Sequence, residues 1–79
     1  MSKRPTGLRA RVSELPPTWI VVASRPRDGN DLSWMDHPRA PISQAEAHTA
    51  VAAGYLVGAC RHRHDRVEYV VQPIARVFA

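Results

Sequence analysis

A single cysteine, Cys60, in a chain of 79 residues leaves no intramolecular disulfide to close the fold, so burial of apolar surface must supply its stability. A chain of this size buries only roughly 60% of the surface its unfolded form exposes, which permits one domain and a thin margin. Of the apolar residues, 11 are Ala, and Leu, Ile, Val and Phe together number 17. That fraction stands just above the level of roughly 20% below which charged chains tend to stay disordered. The expected core is small and tightly layered.

The cysteine count also bears on compartment. Small secreted domains commonly depend on disulfides, so a reducing cytoplasm is the expected location. The start of the chain carries Lys3, Arg4, Arg9 and Arg11, but no apolar run of about 7 to 15 residues follows to make a secretory signal. No apolar stretch approaches the roughly 20 residues of a membrane-spanning helix.

Charge is unevenly placed. The chain has 11 basic and seven acidic side chains, a formal net charge of +4, and all but one of the basic residues are Arg. Both ends are basic and the middle is acidic. Residues 1–7 read as a flexible basic arm, because Pro5, Gly7 and adjacent charges leave nothing to bury, and residues 8–79 read as one domain.

Within the domain, Leu8, Ala10 and Val12 alternate with Arg9, Arg11 and Ser13, the pattern of a strand with one wet face or of extended coil. Trp19 to Ala23 is β-branched, lies between Pro17 and Pro26, and is expected as a central strand. Residues 25–41 form a long connection. Leu32, Trp34 and Met35 predict a single helical turn, capped by Asp31, that pins the connection to the core; the alternative is that Trp34 and Met35 are exposed as a binding tip.

Ser43-Gln-Ala-Glu46 fits a capping box, so a helix is predicted from about Gln44 to Ala53, ended by Gly54, with Ala47, Ala50, Val51 and Tyr55 towards the sheet. Two strands follow, Leu56 to His62 and Val67 to Gln72. A four-residue join at Arg63-His64-Asp65-Arg66 sets His62 against Val67, Arg61 against Glu68 and Cys60 against Tyr69. A slip of one residue would mix the faces. Pro73 interrupts the ladder, and Ile74 to Phe78 reads as a further edge segment. The fold class is therefore α+β: a small, mainly antiparallel sheet of three to four strands with one α-helix packed on one face. A sheet this small leaves exposed edges, so a homodimer is expected.

The chemistry-bearing residues are few. His62 and His64, two apart on a strand, point the same way and suit one metal ion. Cys60 and His64 stand about 13 Å apart on a strand, too far to share it. Nearby arginines would also repel a divalent cation, so no metal and no cofactor is expected. Cys60 in an apolar strand is expected to be buried and inert, the segment of Asp28, Asp31 and Asp36 has Arg39 where a calcium loop carries its twelfth-position glutamate, and the scattered glycines make no phosphate cradle. No enzyme is expected.

The basic residues carry the remaining signal. Arg61, Arg63 and Arg66 with His62 and His64 gather at one hairpin end, and Arg9 and Arg11 add charge near the start. Together with Trp34 and Met35 they form the expected partner-binding set. The helix expected at 44–53 contains no Lys or Arg, so it cannot read a DNA groove. These residues point to a small, basic, non-enzymatic module that occupies an acidic surface on a partner protein, in the form of an inhibitor or accessory factor of a nucleic-acid-handling complex. Phage-encoded inhibitors such as anti-CRISPR proteins offer an analogy of size and chemistry, with no motif in common. Two alternatives are direct, mostly nonspecific binding to DNA or RNA, and a small metal-binding protein built on Cys60, His62 and His64.

Overall fold

The computed structural model describes residues 7–74. Residues 1–6 of the expected arm, and the edge segment expected beyond Ile74, lie outside the described residues. Elements follow in the order α1 (Gly7–Ser13), β1 (Ile20–Pro26), β2 (Met35–Asp36), α2 (Gln44–Ala52), β3 (Leu56–His62) and β4 (Arg66–Pro73). The four strands form one antiparallel sheet in the order β2-β1-β4-β3. The class is α+β.

The most locally determined element is α2. Ser43 Oγ accepts the Glu46 N–H at 3.1 Å, and Glu46 Oε1 accepts the Ser43 N–H at 3.0 Å, completing the capping box. Ile42 before the cap and Ala47 one turn on are both buried, the apolar staple that fixes the entry angle. At the other end Gly54 takes φ +85. Its N–H reaches Val51 O at 3.1 Å and the Tyr55 N–H reaches Ala50 O at 2.9 Å, which satisfies two carbonyls of the last turn. The alanines at 47 and 50 let the helix lie close to the sheet, and they share a core with Val12, Val22, Ala23, Ile42, Leu56, Tyr69 and Val71.

The expected β3 and β4 pairing holds residue for residue: Cys60 faces Tyr69, Arg61 faces Glu68 and His62 faces Val67. β4 begins one residue earlier and ends one later than expected, and Pro73 closes its ladder opposite Leu56. β1 lies inside the sheet as expected, and β4 beside it is buried on both faces, from Val67 through Val71. On one face Tyr69 and Val71 meet the helices. On the other, Val70 lies between Val21 and Ala59 of the flanking strands.

Two connecting segments depart from expectation. Leu8 to Val12 is helical, not extended. Leu8, Val12 and Leu15 also have the i, i+4, i+7 spacing of a helix face, and all three pack on the core. Arg11 then ties α1 to α2, donating to Glu46 and to the Pro41 carbonyl. The protein thus has a second helix packed beside α2.

In the long connection, β1 runs on through Pro26, and Met35 and Asp36 return as the short β2 beside Ser24 and Ala23. No helical turn forms there. Asp31 instead accepts the Ser33 N–H at 2.9 Å, a local turn that holds its carboxyl below the usual range. A bulge between Val21 and Ala23 leaves Val22 unpaired with β4, so two consecutive residues, Val22 and Ala23, enter the core. The Val22 carbonyl accepts the His37 N–H at 2.9 Å.

A candidate binding surface at the hairpin end

Two residues, His64 and Asp65, make the turn between β3 and β4, closed by the Arg63 N–H to the Arg66 carbonyl at 2.8 Å. The turn brings three arginines onto one carboxylate. Arg61 Nε donates to Glu68 Oε1 at 2.9 Å, Arg63 Nε to the same oxygen at 3.1 Å, and Arg66 Nε to Oε2 at 3.1 Å. Arg66 also pairs with Asp65 at 3.0 Å. Strand alternation places Arg61 and Glu68 side by side, and the tight turn lets Arg63 and Arg66 fold back over the same group.

The arrangement explains how a carboxylate can be 5% exposed on a sheet face that no described helix covers. The three arginine side chains are its lid. Burial alone would raise the Glu68 carboxyl, but the hydrogen bonds from Arg63, Arg61 and Arg66 outweigh that and hold it down to about 2. It is therefore ionised at neutral pH. Its partners remain 41 to 48% exposed, so their free N–H groups face water. Arg63 meets Glu68 through Nε alone, which leaves both of its terminal nitrogens without an acceptor among the described residues.

One contributor was missed by the sequence reading. Arg27, after β1, sends its main-chain N–H to the Asp65 carbonyl at 3.3 Å and its guanidinium to the Arg63 carbonyl at 3.1 Å. It becomes a fourth cation at this end. Four guanidinium groups then face two carboxylates, Glu68 and Asp65, and a positive excess remains. The missing signal was tertiary: Arg27 lies 36 positions from Arg63 and arrives because β1 pairs with β4 as far as Pro26 and Arg66.

The expected set does not assemble as a whole. His62 and His64 are exposed on the same hairpin. Arg9 is at the other end of the sheet, 5.8 Å over the Tyr55 ring, and Arg11 is engaged with Glu46 and Pro41 at the start of α2. Tyr55 precedes Leu56, and Leu56 is separated from His62 by the length of β3, about 20 Å at the usual rise. Trp34 is half-buried rather than a free tip. Its ring stands 6.0 Å from Tyr69, and Arg25 lies 5.2 Å over its face. Met35 is 69% exposed but sits on β2, at the edge of the sheet opposite β3. The surface that converges is Arg61, Arg63, Arg66 and Arg27.

Tyr69 organises the other side of the hairpin. His48 of α2 stacks on it at 4.8 Å, and its hydroxyl reaches over Gly58, where a Cβ would lie 2.9 Å from that oxygen. Burial, and secondarily the neighbouring Cys60, push its phenol up, so it stays protonated. Cys60 is exposed, not buried, because β3 is an edge strand. Among the described residues no group of three or more His, Cys, Asp or Glu side chains is placed to hold a metal ion. A groove of about 340 Å³ between α1 and Pro73 is lined by Arg9, Val12, Ser13, Tyr55 and Ile74, with no acid and base pair. No helix among the described residues is long and apolar enough to cross a membrane.

The chain matches no known protein family, and neither curated proteins nor solved structures show significant similarity to it.

Proposed function

We propose that this is a non-enzymatic binding module whose hairpin end, Arg61, Arg63, Arg66 and Arg27, docks on an acidic surface of a partner protein in the cytoplasm, as an inhibitor or accessory factor of a nucleic-acid-handling complex. The observation that carries this reading is the convergence of three arginines on the buried Glu68. A guanidinium held by one carboxylate loses little further freedom when it accepts a second, so a pre-set cluster binds an incoming carboxylate at reduced entropic cost. The apolar sheet face beside it, with Val57 41% exposed, adds the mixed apolar and arginine character of protein interfaces.

The same details argue against nucleic acid. Phosphate-driven binding scales with the number of unpaired cations, and two acidic groups already offset two of the four arginine charges at this end. The aromatic rings nearest the cluster are not open to bases: Trp34 lies against Tyr69, Tyr69 is buried, and the exposed Trp19 precedes β1 at the end away from the hairpin turn.

The test is affinity capture from the source cell with wild type and with Arg63→Glu, the arginine bound to Glu68 through one nitrogen, the two proteins being matched by thermal melt. A partner with an acidic contact face that is captured by wild type and lost with Arg63→Glu supports the reading. Fluorescence anisotropy with random duplex and single-stranded DNA at about 50 mM salt, where phosphate-driven affinity is greatest, is the second arm. Micromolar DNA binding there, abolished by Arg63→Glu, overturns it in favour of nucleic acid.

A further inference from the structure

The outer edge of the sheet is an unfilled half of a ladder. The Arg63 N–H to Arg66 carbonyl bond at the turn and the Ile74 N–H to Tyr55 carbonyl bond at the far end fix which residues of β3 turn their main chain towards β4. In an antiparallel pair, hydrogen-bonded and non-bonded positions alternate. Counting from either bond, residues 57, 59 and 61 bond to β4, and Leu56, Gly58, Cys60 and His62 present their N–H and C=O groups outward. Pro73 agrees with this count, since it faces Leu56 at a non-bonded position and has no N–H to give. Among the described residues nothing pairs with that edge. The opposite edge, β2, is only two residues long.

We infer that β3 is the interface of a twofold homodimer, in which two copies of β3 pair antiparallel about Ala59 to make one continuous eight-stranded sheet. Charge placement selects the occupant and the direction. The cation of β3, Arg61, lies at one end beside His62, and its apolar residues Leu56 and Val57 at the other. Parallel pairing would set arginine beside arginine. Antiparallel pairing about Ala59 sets Arg61 against Val57 of the second copy and His62 against its Leu56, so no like charges oppose and an arginine stem covers exposed apolar surface. This register also uses all four outward residues: Leu56 pairs with His62, and Gly58 with Cys60, in both directions. Pairing about Gly58 or Cys60 would leave outward groups unmatched. Glycine at 58 and alanine at 59 leave the axis free of bulk. The two arginine clusters then sit at opposite ends of the new ladder, about 20 Å apart along the strands.

Ala59 decides the test, because it is exposed in the single chain and faces itself across the axis at a non-bonded position, where Cα atoms stand about 4.5 Å apart. That separation suits a disulfide. Analytical ultracentrifugation at tens of micromolar is expected to show a dimer for wild type. Ala59→Lys, which opposes two like charges on the axis, is expected to weaken it by about tenfold or more while circular dichroism stays unchanged. In a Cys60→Ser background, Ala59→Cys is expected to oxidise to a covalent dimer and Val57→Cys to remain largely uncrosslinked. A wild-type monomer at 100 µM (a concentration of about 10⁻⁴ M, weak by interface standards) overturns the inference. So does an Ala59→Lys protein that is folded and still dimeric, or equal crosslinking at 57 and 59. The crosslinking arm decides the matter if Ala59→Lys fails to fold.

Discussion

Replacing Glu68 by Gln removes the negative charge from beneath three guanidinium groups while keeping the side chain's volume. The Glu68 carboxyl is held at about 2 against an ordinary 4.5. Each tenfold difference in proton affinity between folded and unfolded chains is worth about 1.4 kcal/mol, which bounds the contribution at about 3 kcal/mol. The three arginines are 41 to 48% exposed, so solvent screens each pair and the expected loss is about 1 to 2 kcal/mol. The sign of the pH dependence follows from the lowered folded value. The stabilisation is fully present above pH 4.5 and is lost as pH falls from there towards 2. Urea unfolding of wild type and Glu68→Gln, followed by circular dichroism from pH 7 down to pH 2, reads both quantities. The variant is expected to unfold at lower urea at pH 7, and the gap between the two curves to close as pH falls through the acidic range. A gap below about 0.5 kcal/mol at pH 7, the size of an ordinary surface substitution, or one that persists unchanged at pH 2, would refute the clamp.

Two further substitutions test the packing and the caps. Gly58→Ala places a methyl 2.9 Å from the Tyr69 hydroxyl and 3.1 Å from its ring, and the ring is pinned by His48 and Trp34. The expected cost is about 1 to 3 kcal/mol, partly recovered in a Gly58→Ala/Tyr69→Phe double variant. A double-mutant cycle showing no recovery would mean that strand strain, not the hydroxyl, is responsible. Ser43→Ala removes the acceptor for the Glu46 N–H and is expected to cost about 1 kcal/mol, or about 4 to 8 °C in thermal midpoint for a domain of this size. A midpoint unchanged within error would show that the capping box contributes nothing to the folded state.

The parts of the fold that could be read from the sequence are those whose signals are short in range. The capping box spans four residues, Ser43 to Glu46, and Gly54 directly follows the C-cap Ala53, so both ends of α2 were written locally. The β3 and β4 register was legible because only one pairing sorts Arg61 with Glu68 and leaves Tyr69 and Val71 on a common face. Arg61, Arg63 and Arg66 were legible as a group on one hairpin. Their relation to Glu68 was only half visible, since the register named Arg61 as its neighbour but not the two arginines that fold back from the turn.

The remainder rests on contacts between distant residues. Leu8, Ala10 and Val12 satisfy a two-residue and a four-residue period at once, so the segment carries no local preference strong enough to decide. Its helix is selected by packing of Val12 into the core and by the bond from Arg11 to Glu46, 35 positions away. Trp34 could be read either as part of a helical turn pinning the connection to the core or as an exposed tip; the turn does not form, and Tyr69 and Arg25 nevertheless hold the ring in. Cys60 looked buried because its strand is apolar, and the strand order left it at an edge.

Sequence by itself thus determined the size of the core, the absence of an internal disulfide, the helix between its caps and the hairpin with its register. Those depend on composition, on hydrogen bonds a few residues long and on the period of the side chains. Tertiary structure alone decided the helical form of the first segment, the bulge that sends both Val22 and Ala23 inward, and the arrival of Arg27 beside the hairpin. It also decided that Glu68 would be buried by its own cations. A carboxylate is ordinarily left in water, and its burial here is tolerable only because three guanidinium groups reach it together, a condition set by the turn and the pairing in space.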